Sequence, residues 1–359
     1  MFASPYDCCG CSACASCCPA GAVRMCADQE GFLYPQVDPE KCIDCGLCEQ
    51  VCPLKDAGRN VGRREPIRIF AVKNRDAAAR MQSASGGAFP LFAAWMEKEG
   101  GVIYGAAYDQ DFRVCHQRAE GPGEWKKFCT SKYVQSAMED CFAQVKMDLE
   151  AGRPVLFSGT PCQVQGLKNY LKDVDTGKLL TCDLICRAVP SPLVWETWLG
   201  SIREQISGPV SKINFREKAR TGWHNNSLTL TGKDGQVLYS ETHGQNAFSK
   251  VFFQGLITRP ACYHCAFASF ERPGDITLGD YWGVEKNTPE FDDDQGISLV
   301  MCNTEKGLDV WDQVSAGAES FCVSKEQCRQ PALEKPQEEP EGRKAFWEAY
   351  QKQGLNQYM

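Results

Sequence analysis

The chain has 359 residues, 43% of them apolar and 24% charged, with a formal net charge of −7. At roughly 150 residues per domain this length predicts about two domains, and the acidic balance excludes the basic footprint of a nucleic-acid binder. No stretch reaches the roughly 18 consecutive apolar residues of a membrane span, and the N-terminus lacks a secretory signal, so a cytoplasmic protein with no membrane partner is expected.

In such a compartment the 22 cysteines read as metal ligands rather than disulfides. Residues 8–19 are CCGCSACASCCP and residues 42–53 are CIDCGLCEQVCP. The second run has the spacing C-x2-C-x2-C-x3-C-P, through Cys42, Cys45, Cys48 and Cys52. The same template laid on the first run selects Cys8, Cys11, Cys14 and Cys18, and leaves Cys9 and Cys17 over. A competing register through Cys11, Cys14 and Cys17 lacks the fourth cysteine before proline. Two such runs form the bacterial ferredoxin pattern, in which the fourth cysteine of each run ligates the other cluster. One 4Fe-4S cluster is therefore assigned to Cys8, Cys11, Cys14 and Cys52, the other to Cys42, Cys45, Cys48 and Cys18. Zinc is the alternative for thiolates, but its ligands usually come as separated pairs. Residues 1–58 form this domain. It has few large apolar side chains, so it is expected to depend on its clusters and to lose order first without them.

Residues 57–66, AGRNVGRREP, read as a polar linker. Beyond it IRIFAVKN, VIYGAAYD, PVLFSG, LLTCDLIC, DITLGDYWG and ISLVMCN read as strands. Helices are expected within SASGGAFPLFAAWMEKEGG, SAMEDCFAQVKMDLEAGR, TPCQVQGLKNYLK and SPLVWETWLGSIREQI. This alternation predicts a mixed α/β domain over 67–328 with a largely parallel sheet. Asp-Gly inside NSLTLTGKDGQVLYSE marks a hairpin. Residues 329–359 read as a polar tail ending in a short amphipathic helix. The nicotinamide fingerprint, a P-loop and a zinc-protease motif are all missing from the sequence.

Two glycine turns, SASGG and FSGTPCQ, precede helices and could present backbone N–H groups to a phosphate-bearing cofactor such as FAD; as bare sequence they read first as connectors, since most glycine turns are no more than that. Four further cysteines lie near strand ends: Cys162, Cys186, Cys262 and Cys265. Strand-end turns of an α/β sheet converge on one edge, so these four could hold a third 4Fe-4S cluster, or could be buried apolar thiols. Arg216, Lys218, Trp223 and His224 in FREKARTGWHN are candidate substrate contacts, against the alternative of a solvated loop.

The double ferredoxin run followed by SGGAF, GTPCQVQGLK, CDLIC, CYHC and DITLGDYWG resembles the coenzyme F420 hydrogenase/dehydrogenase beta-subunit family, from residue 8 to at least 284. The resemblance implies an iron–sulfur flavoprotein carrying FAD. It places Ser85, Gly86, Gly87, Lys132, Gln135, Ser158, Gly159, Thr160, Gln163 and Asp280 by the flavin, and Cys162, Cys186, Cys262 and Cys265 around a third cluster. Family members often carry His-Gly after CDLIC, where this chain has Arg187-Ala188. The expected activity is an FAD- and iron–sulfur-dependent reductase. It takes electrons from ferredoxin or another low-potential donor and passes them to an unsaturated small-molecule substrate. The alternatives are oxidoreduction of the deazaflavin coenzyme F420 and a pure electron-transfer role within a larger complex. No single catalytic acid is evident, and self-association is left open.

Overall fold

A computed structural model describes residues 4–55 and 62–355. The domain boundary at 58 and residues 57–61 of the expected linker lie outside the described residues.

The N-terminal segment repeats in space as it does in sequence. The four-residue helices Ala13–Ser16 and Leu47–Gln50 follow turns with the same backbone pattern. Gly10 and Ser12 in the first turn are left-handed, and so are Asp44 and Gly46 in the second. Between the helices lies an antiparallel hairpin, β1 (Val23–Ala27) with β2 (Leu33–Val37).

The main sheet has eight strands: β3 (Arg68–Asn74), β4 (Val102–Tyr108), β5 (Val114–Ala119), β6 (Val155–Gly159), β7 (Leu179–Leu184), β11 (Ile276–Asp280), β12 (Ser298–Cys302) and β13 (Ala318–Cys322). A separate antiparallel sheet holds β8 (Val210–Glu217), β9 (Ser227–Gly232) and β10 (Val237–Thr242), the last two joined by the expected Asp-Gly hairpin. The main sheet runs β13-β3-β12-β11-β7-β6-β4-β5. It is less parallel than the alternation of the sequence suggests. Only β4 with β6, β6 with β7 and β7 with β11 pair in parallel; the flanking pairs are antiparallel. At one end the cause is local. The turn from β4 to β5 is too short for a crossover and is closed by the Asp109 carboxylate, which accepts from the N–H groups of Asp111 and Arg113.

Side chains alternate across the sheet. Ile103 and Leu156 pack on one face under the helices Ala88–Lys98 and Glu305–Val314, whereas Val102, Tyr104, Val155 and Phe157 pack on the other under Cys141–Glu150 and Pro161–Tyr170. Cys11, Ala13 and Val51 join that second core, so the ferredoxin segment is seated on the helix Pro161–Tyr170. Gly166 makes the seat possible, because a Cβ there would meet Cys11 Sγ at 2.9 Å. The tail is also part of the packing. Phe346, Trp347 and Tyr350 of the helix Arg343–Gln353 enter a core with Trp195 and Trp198, and Arg343 pairs with Glu30 of the ferredoxin segment.

Topology sets where the loops meet. β6, β7 and β11 are parallel, and β3 shares their direction through the antiparallel β12 between it and β11. The turns after β3, β6 and β7 and the end of β11 therefore lie along one edge.

Candidate redox site

Two thiol-lined recesses meet at this edge. The first is lined by Cys8, Cys11, Cys14 and Cys52, with Cys9 and Cys48 also in its wall. Cys48 and Cys52 of the second run thus both stand in the wall of a recess lined by the first run. Cys17 has Cys18, Cys45 and Cys48 as electrostatic neighbours, while Cys42 and Cys45 are exposed.

The second recess gathers Cys162, Cys186, Cys262 and Cys265 from three separate segments. Cys162 stands in the first turn of Pro161–Tyr170, where Pro161 at the helix start and a Thr160–Gln163 capping box fix the entry. Cys186 follows β7, and Cys262 and Cys265 lie on and just after the short 3-10 helix Pro260–His264. Among the described residues no three Cys, His, Asp or Glu side chains close on a single-ion position; the four thiols line a common recess.

Cys9 is one of the two residues the spacing template leaves over. It lines both recesses, and its thiol has those of Cys11 and Cys162 as electrostatic neighbours. No spacing rule could find it, because one of its neighbours, Cys162, comes from a distant helix.

The buried thiols are held protonated at neutral pH. Burial pushes Cys14 and Cys262 up to about 12 and raises Cys8, Cys186 and Cys265. For Cys162 the contact with Cys9 comes first and burial second. Thiolate ligation here therefore requires a bound cation and releases protons when it forms.

The ten residues placed by the flavin fall into two groups. Several have complete structural roles. Gly86 packs directly on the sheet, where a Cβ would stand 2.2 Å from Val72 O and 2.4 Å from Ser298 N. Gly87 starts Ala88–Lys98 with φ of +80°, which favours glycine. Gly159 abuts Gln163, whose Oε1 accepts from Thr160 N and Thr160 Oγ1. Gln135 donates to Cys9 O at 3.1 Å and accepts from Arg259 at 2.8 Å, so it braces the ferredoxin loop. Asp280 is paired with Arg216 at 2.8 Å and accepts from Trp223 Nε1 at 3.0 Å.

The second group is Ser85, Lys132 and Ser158. Ser85 O accepts from Lys218 Nζ at 2.5 Å, and Ala84 N donates to Cys129 O, which brings the segment carrying Lys132 alongside the first glycine turn. Ser158 O accepts from His116 Nε2 at 3.0 Å, which leaves Nδ1 as the acceptor of the Ser136 hydroxyl at 2.7 Å. Burial lowers His116 to about 4, so the ring is neutral. Lys132 and Lys218 donate to carbonyl oxygens, and burial lowers each to about 7.

The stretch FREKARTGWHN is solvated at residues 219–221 and 224–225, but three of its four candidates are not. Arg216, Lys218 and Trp223 are buried, and Trp223 stacks on Trp282 with centroids 4.5 Å apart. His224 is the exposed member, bonded to Asp292 at 2.7 Å. Arg187, where relatives of the resemblance carry histidine, lines the second recess and donates to Phe253 O.

Comparison with known proteins meets this geometry at both ends of the chain. Residues 152–322 match the family model that describes the C terminus of the coenzyme F420 hydrogenase/dehydrogenase beta chain, and residues 35–55 match a 4Fe-4S binding domain. Over residues 152–322 the chain belongs to the coenzyme F420 hydrogenase/dehydrogenase beta-subunit family. It is an iron–sulfur member of that oxidoreductase-related family. Its ferredoxin portion is similar to a 7Fe ferredoxin of Hydrogenibacillus schlegelii, 34% identical over 65 residues, covering 18% of this chain and 77% of that protein. It is also similar to a ferredoxin of Alicyclobacillus acidocaldarius, 36% identical over 63 residues, covering 18% and 74%. The B component of an ion-translocating oxidoreductase complex from Methanosarcina acetivorans is 46% identical over 48 residues, 13% of this chain, and the match spans only 16% of that protein. In fold, a chain of the F420-reducing [NiFe] hydrogenase complex from Methanosarcina barkeri aligns with a TM-score of 0.51 at 16% identity, covering 82% of this chain and 90% of that one. Among the described residues no helix of this family member is long and apolar enough to cross a membrane.

Proposed function

We propose that this protein is an iron–sulfur flavoprotein reductase. It takes electrons from ferredoxin or another low-potential donor through two N-terminal 4Fe-4S clusters and a third cluster to FAD, and delivers them to an unsaturated small-molecule substrate. The observation that carries the reading is the shared wall: the recess of Cys8, Cys11, Cys14 and Cys52 and the recess of Cys162, Cys186, Cys262 and Cys265 are separated by Cys9, which reaches a ligand candidate on each side. Clusters move one electron at a time, and a flavin can gather two and pass them on as a hydride.

The chain's own residues supply position and shielding. Gln135 and the Thr160–Gln163 cap hold two walls of the second recess in place. The turns at Ser85–Gly87 and Ser158–Thr160 lie on the same sheet edge, and each leads into a helix whose first N–H groups favour a phosphate. Lys132 and Lys218 flank the first of these turns, and a phosphate-bearing cofactor would give them a counter-charge. Ser85, Lys132 and Ser158 are the flavin contacts this arrangement leaves available.

Iron and flavin per chain after anaerobic purification test the reading. About twelve irons with one FAD are expected for three clusters and a flavin. About eight irons without flavin would leave an electron carrier only.

The family description favours a second reading, oxidoreduction of coenzyme F420, in which the chain works with other proteins in a complex. Rapid bleaching of oxidised F420 by the reduced protein would select it.

A further inference from the structure

The guanidinium of Arg259 is wholly buried and bonds to a residue of each recess, Cys8 of the first and Gln135 of the second. Its Nε donates to Cys8 O at 2.7 Å, Nη1 to Gln135 Oε1 at 2.8 Å and Nη2 to Leu33 O at 3.0 Å. Nη2 also lies 3.6 Å from Cys8 Sγ, and the group sits over the Tyr34 ring, 4.2 Å from its centroid. On the other side the backbone carbonyl of Arg259 accepts from Cys262 N at 2.9 Å. Its charge acts on Cys8, Cys162 and Cys262 together. Gly10 is what admits it, since a Cβ there would stand 2.8 Å from Nη1.

The oxygen partners of this cation are all neutral. Five arginines are buried among the described residues: Arg80, Arg216, Arg259, Arg272 and Arg343. Arg80 pairs with Asp293, Arg216 with Asp280, Arg272 with Asp183 and Arg343 with Glu30. Among the described residues, Arg259 alone of the five has no carboxylate within ion-pair distance. A buried charge without a partner is costly, and in folded proteins such charges are paired or face a metal site. Four thiolates outweigh the positive core of a 4Fe-4S cluster, so each ligated cluster is an anion. The missing counter-charge of Arg259 is what the two recesses would hold.

We propose that Arg259 is the shared countercation of the cluster at Cys8, Cys11, Cys14 and Cys52 and of the cluster at Cys162, Cys186, Cys262 and Cys265. It acts as a positioning residue that locks the ferredoxin segment onto the sheet edge and raises both reduction potentials. This rests on the reading that both recesses hold clusters. The direction follows from charge: the reduced cluster is the more negative state, so a fixed cation stabilises it more, and charge and hydrogen bonds at the sulfurs set cluster potentials. None of the Arg259 hydrogen bonds reaches Cys42, Cys45, Cys48 or Cys18, so that cluster is an internal control.

The test is a potentiometric titration of the iron-loaded full chain followed by electron paramagnetic resonance, in the unsubstituted protein, Arg259→Gln and Arg259→Lys. In Arg259→Gln both flanking clusters should lose at least tenfold in their reduction equilibrium, about 59 mV for one electron, with the control cluster unmoved. Arg259→Lys, which keeps the charge, should stay within tenfold of the unsubstituted protein. Unchanged potentials in an iron-replete Arg259→Gln protein, or a shift at only one flanking cluster, would overturn the proposal. If Arg259→Gln fails to hold iron, Arg259→Lys decides: retained potentials support the role of charge, and a tenfold loss at both clusters overturns it. An iron count near eight in the unsubstituted protein would instead refute the three-cluster reading, and the sharing with it. A count near twelve with unmoved potentials refutes the role of Arg259 alone.

Discussion

The seat of the ferredoxin segment can be tested with one substitution made twice. Gly166 lies inside the helix Pro161–Tyr170, and Gly200 lies inside Pro192–Gln205. Alanine in place of a helical glycine gains about 1 kcal/mol from propensity and reduced unfolded-state entropy. At Gly200 the added Cβ meets nothing within 4 Å, so Gly200→Ala should stabilise by about that amount. At Gly166 the Cβ meets Cys11 Sγ at 2.9 Å and Cys11 Cβ at 3.2 Å. Overpacking of this kind costs about 1–3 kcal/mol, which offsets the gain and leaves Gly166→Ala neutral to about 2 kcal/mol destabilising. The two variants should therefore differ by about 1–3 kcal/mol in urea unfolding. Gly166→Ala should also release iron to a chelator faster, because the displaced atom belongs to a ligand candidate. If Gly166→Ala stabilises the protein as much as Gly200→Ala and holds iron as long, the ferredoxin segment is not seated on this helix.

Crossed ligation makes a pairwise prediction: Cys52→Ala should leave the same residual cluster spectrum as Cys11→Ala, and Cys18→Ala the same as Cys45→Ala. The opposite pairing would refute the assignment. Asp183 and Arg272 form an ion pair with both side chains at 0% exposure, so Asp183→Asn should cost about 3–5 kcal/mol by stranding a buried guanidinium. A loss under about 1 kcal/mol in urea unfolding would refute that. His116 is lowered to about 4 by burial, below its unfolded value near 6.5. The unfolded chain takes up the proton first, so this contribution to stability is full above pH 6.5 and is lost as pH falls towards 4, by roughly 3 kcal/mol. His116→Gln should flatten the stability profile over that window by a comparable amount; an unchanged slope in acid unfolding would count against a buried neutral ring.

Local chemistry was legible in the sequence. The two cysteine runs carry their meaning in spacing alone, because the ligands of one cluster must come from a few residues wound around it, and the structure repeats even the left-handed backbone at Gly10 and Asp44. Gly86 and Gly87 were legible as a turn into a helix, and Asp234-Gly235 as a hairpin, since φ and close approach are properties of a few bonded residues. The antiparallel flanks of the main sheet were not legible, because pairing direction depends on which distant strands meet. The same holds for Gln163 and Asp280: their residue types suit a ligand, but whether a cap or an arginine occupies them is settled by neighbours. Cys9 and Arg259 show the limit most plainly. As sequence they are a spare thiol and an arginine before a proline. Their partners lie across the fold, Arg259 meeting Cys8 over a separation of 251 residues. Ligand spacing is local covalent geometry and can be read along the chain. Burial of a charge and the partners it meets exist only once distant segments are packed, so the tertiary structure alone decided that the ferredoxin segment and the sheet edge meet around Cys9 and Arg259.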